Sequence, residues 1–342
     1  MYDYEIAVPS DTTNPIILTR LEDFKKYGLL NTENLKIHIT FLATKNCKGR
    51  TDFLRHGWPS NIDVDVIHTP YLHVAQRIYS YYSTYVQKDF AKWYMRIDED
   101  SLTDMSGLNA NLESGYDYNR DYHMGGKINY EPYQIDQKIL SKMGYGHWYK
   151  TTKNYYLHES PAHEQEISIT SLSAMNKVLE NKDCKKYFML RQEFPEGYGD
   201  HGLSLACKMC KVYFHEAKFL SCEPLITYFS YFYGHLNHIH WCSRDKNPIC
   251  LEWMDLFSYQ AAPEVKDKMF LFGNFQQKDL VEFDKNHTIK TLSKTDIEPS
   301  IPTIGLWCKK DNKIVILLES ENELIWFDKD NFEYKDFTLK EV

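Results

Sequence analysis

The sequence has no long hydrophobic run and no excess of positive charge. No window approaches the ~18 consecutive apolar residues of a transmembrane helix. The N-terminus lacks the basic leader and apolar stretch of a signal peptide. The 342 residues carry a formal net charge of −8, which argues against a broad electrostatic surface for nucleic acid or anionic membrane. We therefore expect a protein without a membrane span; the sequence leaves its oligomeric state open.

The 8 cysteines lack the spacing of a disulfide framework or a zinc ribbon. Cys207 and Cys210 form a CxxC, but no second pair lies at zinc-ribbon spacing. On a helix the two residues are one turn apart, so packing is the expected role, with a metal or redox role as the alternative. The chain also has no internal repeat and no low-complexity tract. A reducing cytoplasm fits this cysteine usage.

Apolar residues make up 43% of the chain, enough for a sizeable core, and their pattern alternates between strands and helices. The segments YEIAVPS, KIHITFLAT, DVDVIHT and KWYMRID have the character of buried strands. Helical spacing occurs between them, above all in YLHVAQRIYSYYSTYVQKDF, where it predicts an inner face of Val74, Ile78, Tyr81, Tyr82 and Tyr85. This alternation predicts an α/β domain with a largely parallel sheet over residues 1–260. Short β-like runs separated by turns predict a small β-rich accessory domain over residues 261–342.

Polar residues follow two of these strands, where ligands of open α/β sheets bind. Pro9, Ser10 and Asp11 come after the first strand. The triplet Asp98, Glu99 and Asp100 ends KWYMRI, and either holds a cation or forms a solvated turn. Carboxylates suit Mg²⁺ or Mn²⁺. In an extended segment Asp98 and Asp100 would share one face, while Glu99 points the other way.

The segment KWYMRIDEDSLTDMSGLNANLESGYDYNRDYHMGGK resembles the centre of the fringe-like, β-1,3-galactosyltransferase-like group of glycosyltransferases. In that group a K-W-[FY] strand ends in an acidic triplet, and a helix and a strand with a Gly pair follow. The matching positions are Trp93, Asp98, Glu99, Asp100, Leu108, Leu112, Gly125 and Gly126. SITSLSAMNKVLE and FPEGYGDHGLSLACKMCKVYF resemble later helices of the group. The opening YEIAVPSDTTNPIILTRLEDFKKYG resembles the first strand and helix of GT-A fold transferases.

The resemblance implies a GT-A fold, that is, a nucleotide-diphospho-sugar transferase with a Rossmann-like mixed sheet. It implies Mn²⁺ or Mg²⁺, a nucleotide-sugar donor of the UDP-sugar type, and inverting transfer to the hydroxyl of a glycan or lipid-linked acceptor. Asp98 would face the ribose or the metal, and Asp100 would bind the metal directly. Eukaryotic members carry a membrane anchor, so a chain without one is expected to be cytoplasmic and bacterial or viral in style.

The same resemblance makes Asp200 the catalytic base that takes the acceptor proton. A helix N-cap is the alternative role for this residue, because Asp is a favoured cap. Glu193 and Glu196 are weaker candidates for the base. The donor site would comprise Pro9, Ser10, Asp11, Arg77, Asp98 and Glu99, with Arg77 either pairing with phosphate or remaining a solvated charge.

Histidines and tryptophans complete the candidate site. In this fold family a third metal ligand is often a C-terminal His; FYGHLNHIHW offers His235 and His240, which the sequence does not rank. A packed or surface histidine is the alternative. Trp148, His163, Glu196 and Trp241 are candidate acceptor contacts, with core packing or a surface loop as the competing role.

Two other functions remain open from the sequence. Relatives of this fold from phages glycosylate hydroxymethylated bases in DNA, although the acidic net charge disfavours DNA as the acceptor. A nucleotide-sugar-binding protein without catalytic activity is the second alternative. The group's Gly-Gly turn before its later helix is replaced here by SPAHEQE, and its central acid is Glu99 rather than Asp.

Overall fold

The computed structural model describes residues 1–44, 50–69, 74–129, 138–145, 160–162, 167–192, 202–220, 237–239, 251, 268–274, 278–283, 288–291, 303–310, 313–318, 324–328, 333–334 and 337–341. The chain divides into two compact units, Met1–Lys246 and Asn247–Val342. The catalytic and accessory roles assigned to the two parts of the sequence stay predictions. In the part of the chain that the structure describes, no helix has the length and apolar character needed to cross a membrane.

The first unit alternates strands and helices along its first half. Its strands are β1 (Tyr2–Ser10), β2 (Leu29–Leu30), β3 (Ile37–Thr44), β4 (Ile62–Thr69), β5 (Ala91–Ile97), β6 (Leu102–Asp104), β7 (Tyr122–Gly125), β8 (Lys127–Asn129), β9 (Ser160–Ala162), β10 (Ile167–Ser171), β11 (Tyr213–Glu216) and β12 (His238–Ile239). Its helices are α1 (Pro15–Asp23), α2 (Thr51–Arg55), α3 (Val74–Thr84), α4 (Met105–Gly115), α5 (Leu172–Glu180), α6 (Lys182–Gln192) and α7 (Gly202–Met209). A π-helical turn, Phe24–Gly28, extends α1.

Seven strands form the main sheet, in the order β11-β7-β10-β5-β1-β3-β4. β1 pairs in parallel with both β3 and β5, and β4 continues the parallel run beyond β3. Only β10, among these strands, runs antiparallel to its neighbours β5 and β7. The predicted α/β fold with a Rossmann-like mixed sheet is therefore confirmed.

Helices cover both faces of this sheet, which explains why its central strands are apolar along their whole length. Alternate residues of β1 point to opposite faces: Ile6 belongs to the core beneath α1 and α4, and Ala7 to the core beneath α3, α5, α6 and α7. The inner face predicted for α3 is correct for Ile78, Tyr81 and Tyr82, which are buried. It is wrong for Tyr85, which follows the end of the helix and is 43% exposed.

Asn14 and Ser171 cap the N-termini of two helices, as short polar side chains commonly do. Asn14 caps α1 by accepting a hydrogen bond from the Ile16 amide at 3.0 Å, and Pro15 opens the helix. Ser171 caps α5 and accepts from the Ala174 amide at 3.3 Å. Each cap satisfies an amide that the helix itself leaves without a partner.

The second unit contains an antiparallel sheet of eight strands, in the order β18-β17-β16-β15-β14-β13-β20-β19. These strands are β13 (Lys268–Asn274), β14 (Lys278–Phe283), β15 (Thr288–Thr291), β16 (Thr303–Lys310), β17 (Lys313–Leu318), β18 (Leu324–Asp328), β19 (Glu333–Tyr334) and β20 (Phe337–Glu341). Most neighbours in the sheet are also neighbours in sequence, as in a meander. The predicted β-rich character of this part of the chain is confirmed.

Candidate functional site

The strand order of the main sheet reverses between β1 and β5. From β1 the chain proceeds to β3 and β4 on one side, and then returns to place β5 on the other side of β1. In open α/β sheets such a reversal leaves a crevice beyond the carboxyl ends of the two strands, and ligands bind there. The residues that follow Ser10 and Ile97 therefore surround the expected ligand position.

On the β1 side of this crevice, Asp11 is held by hydroxyl and amide donors. Its Oδ1 accepts from the Thr13 amide at 3.1 Å, the Thr13 hydroxyl at 2.6 Å and the Thr44 hydroxyl at 3.3 Å. Partial burial alone would raise the pKa of Asp11, but these hydrogen bonds and the nearby Arg77 lower it below its ordinary value. Asp11 is thus a fixed, ionised carboxylate. Pro9 is buried in β1 beyond the last residue that pairs with β5, so its missing amide proton costs that pairing nothing.

On the β5 side, the acidic triplet forms a turn with its own cations. Asp98 Oδ1 lies 2.6 Å from the Nη2 atom of Arg96. Arg20, from α1, places its Nη1 atom 3.4 Å from Glu99 Oε1 and 3.5 Å from Asp100 Oδ2. The expectation that Asp98 and Asp100 share one face, with Glu99 opposite, does not hold. β5 ends at Ile97 and residues 99–100 form a turn, so strand alternation no longer applies.

The three carboxyl groups of the triplet lie close together and are partly or fully buried. Burial, with further effects from Asp98 and Asp100, raises the pKa of Glu99 to about 8. Glu99 and Asp100 are both buried, and Asp98 is half-buried. Taking carboxylates out of water is costly unless a cation compensates them. The contacts with Arg20 and Arg96 compensate Asp100 and Asp98, but for Glu99 the effect of burial outweighs that of Arg20.

Arg77 lies beneath the crevice and not at its surface. It is 2% exposed, and its Nη1 group donates to the Ser10 carbonyl and, at 3.1 Å, to the Leu42 carbonyl. Burial lowers the pKa of Arg77, while Asp11, Glu99 and Asp98 oppose that shift. The alternative of a solvated charge is therefore wrong for this residue. Arg77 ties the carboxyl end of β1 to β3; its contact with a donor phosphate stays a prediction.

Several buried hydroxyls near these strand ends have no hydrogen-bond partner within the described residues. They belong to Ser10, Thr12, Thr69 and Ser101. Ser10 and Thr69 are the last residues of β1 and β4, and Ser101 directly follows the triplet. Because buried hydroxyls are normally hydrogen-bonded, this set points to a polar ligand or ordered water at the carboxyl edge of the sheet.

A three-stranded sheet, β12-β6-β2, continues directly from the triplet. β12 pairs antiparallel to β6, with His238 opposite Thr103, and the His238 Nδ1 atom lies 2.9 Å from the Thr103 hydroxyl. Asn111 of α4 donates to the Asn237 side chain at 2.6 Å. Part of the histidine-rich segment is thus held beside the residues that follow Asp100.

The remaining predicted site residues lie outside the described residues. They are Trp148, His163, Glu196, Asp200, His235, His240 and Trp241, together with the weaker base candidate Glu193. Their assignments stay predictions. Sequence reasoning missed Arg20 and Arg96, which contact the carboxyl groups of the triplet. An arginine inside the apolar run of β5, two residues before an acid, was a usable signal for Arg96; nothing in the sequence marks Arg20.

The triplet offers some of the oxygen ligands that a divalent cation needs. Mg²⁺ is usually bound by one or two carboxylates plus substrate phosphates, and keeps several waters. Asp98 and Asp100 provide two carboxylates, and the unpaired Ser101 hydroxyl adds a neighbouring oxygen. Across the described ranges, no group of three or more His, Cys, Asp or Glu side chains is arranged to hold a metal ion. A cation held by Asp98 and Asp100 would therefore need substrate oxygens and water to complete its coordination.

Comparisons with known proteins give remote structural likenesses alone. No protein-family model matches the chain, and no curated protein matches it. Among solved structures, mouse xyloside xylosyltransferase 1 is 10% identical with a TM-score of 0.40, over 70% of this chain and 97% of that one. The galactosyltransferase LgtC is 12% identical with a TM-score of 0.34, over 59% and 69%. The mannosyltransferase Ktr4p of S. cerevisiae is 11% identical with a TM-score of 0.33, over 60% and 65%. At such TM-scores these likenesses assign no activity to this chain.

Proposed function

We propose that this protein is a metal-dependent glycosyltransferase of the GT-A type. It would move a sugar from a nucleotide-sugar donor, in particular a UDP-sugar, to a hydroxyl of a glycan or lipid-linked acceptor, with inversion. The observation that carries the proposal is the acidic triplet placed after β5, at the reversal of strand order beside the end of β1. This is where an α/β sheet binds nucleotides, and carboxylates there suit a cation that binds a diphosphate.

In this proposal Asp98 and Asp100 hold Mn²⁺ or Mg²⁺, and His235 or His240 completes the metal site. When bound, the cation supports negative charge on the leaving diphosphate. The position of Asn237 and His238 beside β6 supports a histidine contribution, because β6 begins two residues after Asp100. The unpaired hydroxyls of Ser10 and Ser101 would donate to, or accept from, the polar groups of the donor.

The chain's own catalytic contribution would come from Asp200. An inverting transfer needs a carboxylate that accepts the proton of the attacking hydroxyl. Asp200 precedes α7, which begins at Gly202, and α7 packs against α5 and α6 in the core of the first unit. A rigid helix directly after the base would fix its position. Trp148, His163, Glu196 and Trp241 are the acceptor contacts of this proposal.

Donor binding is tested by thermal shift with a panel of nucleotide sugars, each with and without Mn²⁺. A ligand at 100 times its Kd stabilises the native state by about 2.7 kcal/mol, which is well within detection. We expect one nucleotide class to raise the melting temperature in the presence of Mn²⁺. Asp100→Asn should abolish the Mn²⁺-dependent part, whereas Asp52→Asn, at an exposed position of α2, should leave it intact. If no nucleotide or nucleotide sugar shifts the wild-type protein, the proposal fails.

Catalysis is tested separately with Asp200→Asn and the donor identified above. We expect transfer to fall by about 10²–10⁴-fold, while the Mn²⁺-dependent thermal shift persists. Unchanged turnover would refute Asp200 as the base. A wild-type protein that binds the donor but transfers no sugar to glycan or lipid-linked acceptors would instead be a binding protein.

A further inference from the structure

Three cysteines of the first unit lie close together, away from the acidic triplet in sequence. Cys184 is in the first turn of α6, Cys207 is in α7, and Cys210 is in the turn after α7. Cys184 and Cys207 are buried, and Cys210 is half-buried. All three are reduced in the structure. The CxxC of the sequence is thus only part of a larger thiol group.

A thiol–thiol contact joins Cys184 and Cys210, which are not the CxxC pair. Their Sγ atoms are 3.4 Å apart. A disulfide requires about 2.0 Å between the sulfur atoms, so a small side-chain movement would suffice. Cys207 and Cys210 are instead joined through the backbone, since the Cys210 amide donates to the Cys207 carbonyl at 3.0 Å.

The two thiols also differ in chemical character. The contact with the Cys184 sulfur, together with Asn181 and Lys177, lowers the pKa of Cys210, although burial opposes the shift. The same pairing and burial raise the pKa of Cys184. Because thiolates are the reactive form of cysteine, the half-buried Cys210 is suited to meet an oxidant first. Cys184 lies behind it, in position to react second.

We infer that Cys184 and Cys210 are a peroxide-responsive disulfide site. The Cys210 thiolate attacks one oxygen of hydrogen peroxide, the O–O bond breaks, and hydroxide leaves, giving sulfenic acid at Cys210. The Cys184 sulfur then attacks the Cys210 sulfur, its proton is lost, and the sulfenic oxygen leaves as water. In total two thiols are oxidised to one disulfide and one peroxide is reduced to two waters.

This disulfide would connect the start of α6 to the end of α7. The stretch that it closes contains Asp200, Glu193 and Glu196, but the inference does not depend on the proposed transfer activity. Closing a loop restricts the unfolded chain, so we expect the oxidised protein to have the higher melting temperature. Reduction with dithiothreitol should reverse both the bond and the added stability.

The test treats the native full-length protein with graded hydrogen peroxide, blocks remaining thiols with iodoacetamide, and maps peptides without reduction. We expect a peptide pair joined through Cys184 and Cys210 that has lost two hydrogen atoms. Cys184→Ser should leave Cys210 as a sulfenic acid that dimedone traps. Cys210→Ser should protect Cys184 from the same dose, and the matched control Cys207→Ser should form the disulfide as the wild type does.

Three results would overturn the inference. In the first, Cys184 and Cys210 remain fully alkylated after peroxide that oxidises other thiols of the chain. In the second, the mapped bond joins Cys207 to Cys210. In the third, Cys207→Ser prevents the Cys184–Cys210 bond. The wild-type peptide map decides the matter even if a variant fails to fold, and Cys184→Ala provides a second variant at the buried position.

Discussion

Replacing Arg20 by methionine removes the cation that contacts both Glu99 and Asp100. Its Nη1 atom is 3.4 Å from one carboxylate and 3.5 Å from the other. At an effective dielectric constant of about 20, one such contact is a gross attraction of about 5 kcal/mol. Methionine has a similar apolar stem, so the change mainly removes charge. It leaves the buried Asp100 carboxylate without this partner, and it removes the cation that favours ionisation of Glu99, whose pKa is already raised to about 8.

The net loss is smaller than the gross attraction. Removing one partner of a fully buried ion pair costs about 3–5 kcal/mol, but the Arg20 side chain is 15% exposed and both contacts are longer than an ideal charged hydrogen bond. We therefore expect Arg20→Met to lower the free energy of unfolding by about 2–3 kcal/mol. For a unit of this length that corresponds to a melting temperature lower by about 4–12 °C.

Scanning calorimetry in a chelator and in Mn²⁺ measures both the loss and its recovery. If Asp98 and Asp100 accept a divalent cation, Mn²⁺ should restore most of the lost melting temperature in Arg20→Met, because the cation would compensate the Asp100 carboxylate in place of Arg20. Arg55→Met, at an exposed position of α2, should change little in either buffer. An unchanged melting temperature for Arg20→Met would refute the calculated contribution. A loss that Mn²⁺ does not recover would refute cation binding at these carboxylates.

Two further predictions concern parts of the first unit outside the triplet. Burial alone would lower the pKa of His38, but Glu5, 2.5 Å away, and Asp65 raise it above 6.5. Its protonation therefore stabilises the fold fully below about pH 6.5 and progressively less as pH rises through the raised pKa. Denaturant unfolding at several pH values should show that the difference in free energy of unfolding between wild type and His38→Gln becomes smaller as pH rises. A difference that stays constant with pH would contradict this. In α4, a Cβ at Gly107 would lie 2.4 Å from an Asp104 oxygen, whereas a Cβ at Gly115 would have no atom within 4 Å. Calorimetry should therefore show that Gly107→Ala destabilises the protein by about 1–3 kcal/mol and that Gly115→Ala does not. Equal effects of the two substitutions would contradict the clash.

From the sequence, the ends of the strands were predicted more accurately than the side-chain contacts that form beside them. Apolar runs followed by Ser10 and by Asp98 identify the ends of β1 and β5, because strand burial and turn chemistry are local properties. The partner of Glu99 is Arg20, which is 79 positions away, and no local pattern specifies such a pairing. The alternation argument for the triplet was wrong for a local reason. β5 ends at Ile97, before the triplet begins, so residues 98–100 do not continue the strand.

The cysteines show the same division between local and distant information. The CxxC spacing draws attention to Cys207 and Cys210. Cys207 is in α7 as predicted, whereas Cys210 lies in the turn that follows the helix, with its amide donating to the Cys207 carbonyl. The sulfur of Cys210 contacts that of Cys184, which comes from the preceding helix. That contact depends on how α6 packs against α7, and helix packing is set by the complete core and not by either helix alone.

Charge balance at the carboxyl edge connects the cation with the donor. The described groups there include the carboxyl groups of Asp11, Asp98, Glu99 and Asp100 and the guanidiniums of Arg20, Arg50, Arg77 and Arg96. Without a ligand, contacts between these groups compensate most of the charge. A divalent cation on the carboxylates would leave the guanidiniums in excess, and the edge would then attract an anionic diphosphate. Conversely, a diphosphate that bound alone would compete for the guanidiniums and leave the carboxylates without compensation. Cation and donor should therefore each increase the affinity for the other, as reciprocal coupling requires, and a donor shift that is equal with and without Mn²⁺ would contradict this account.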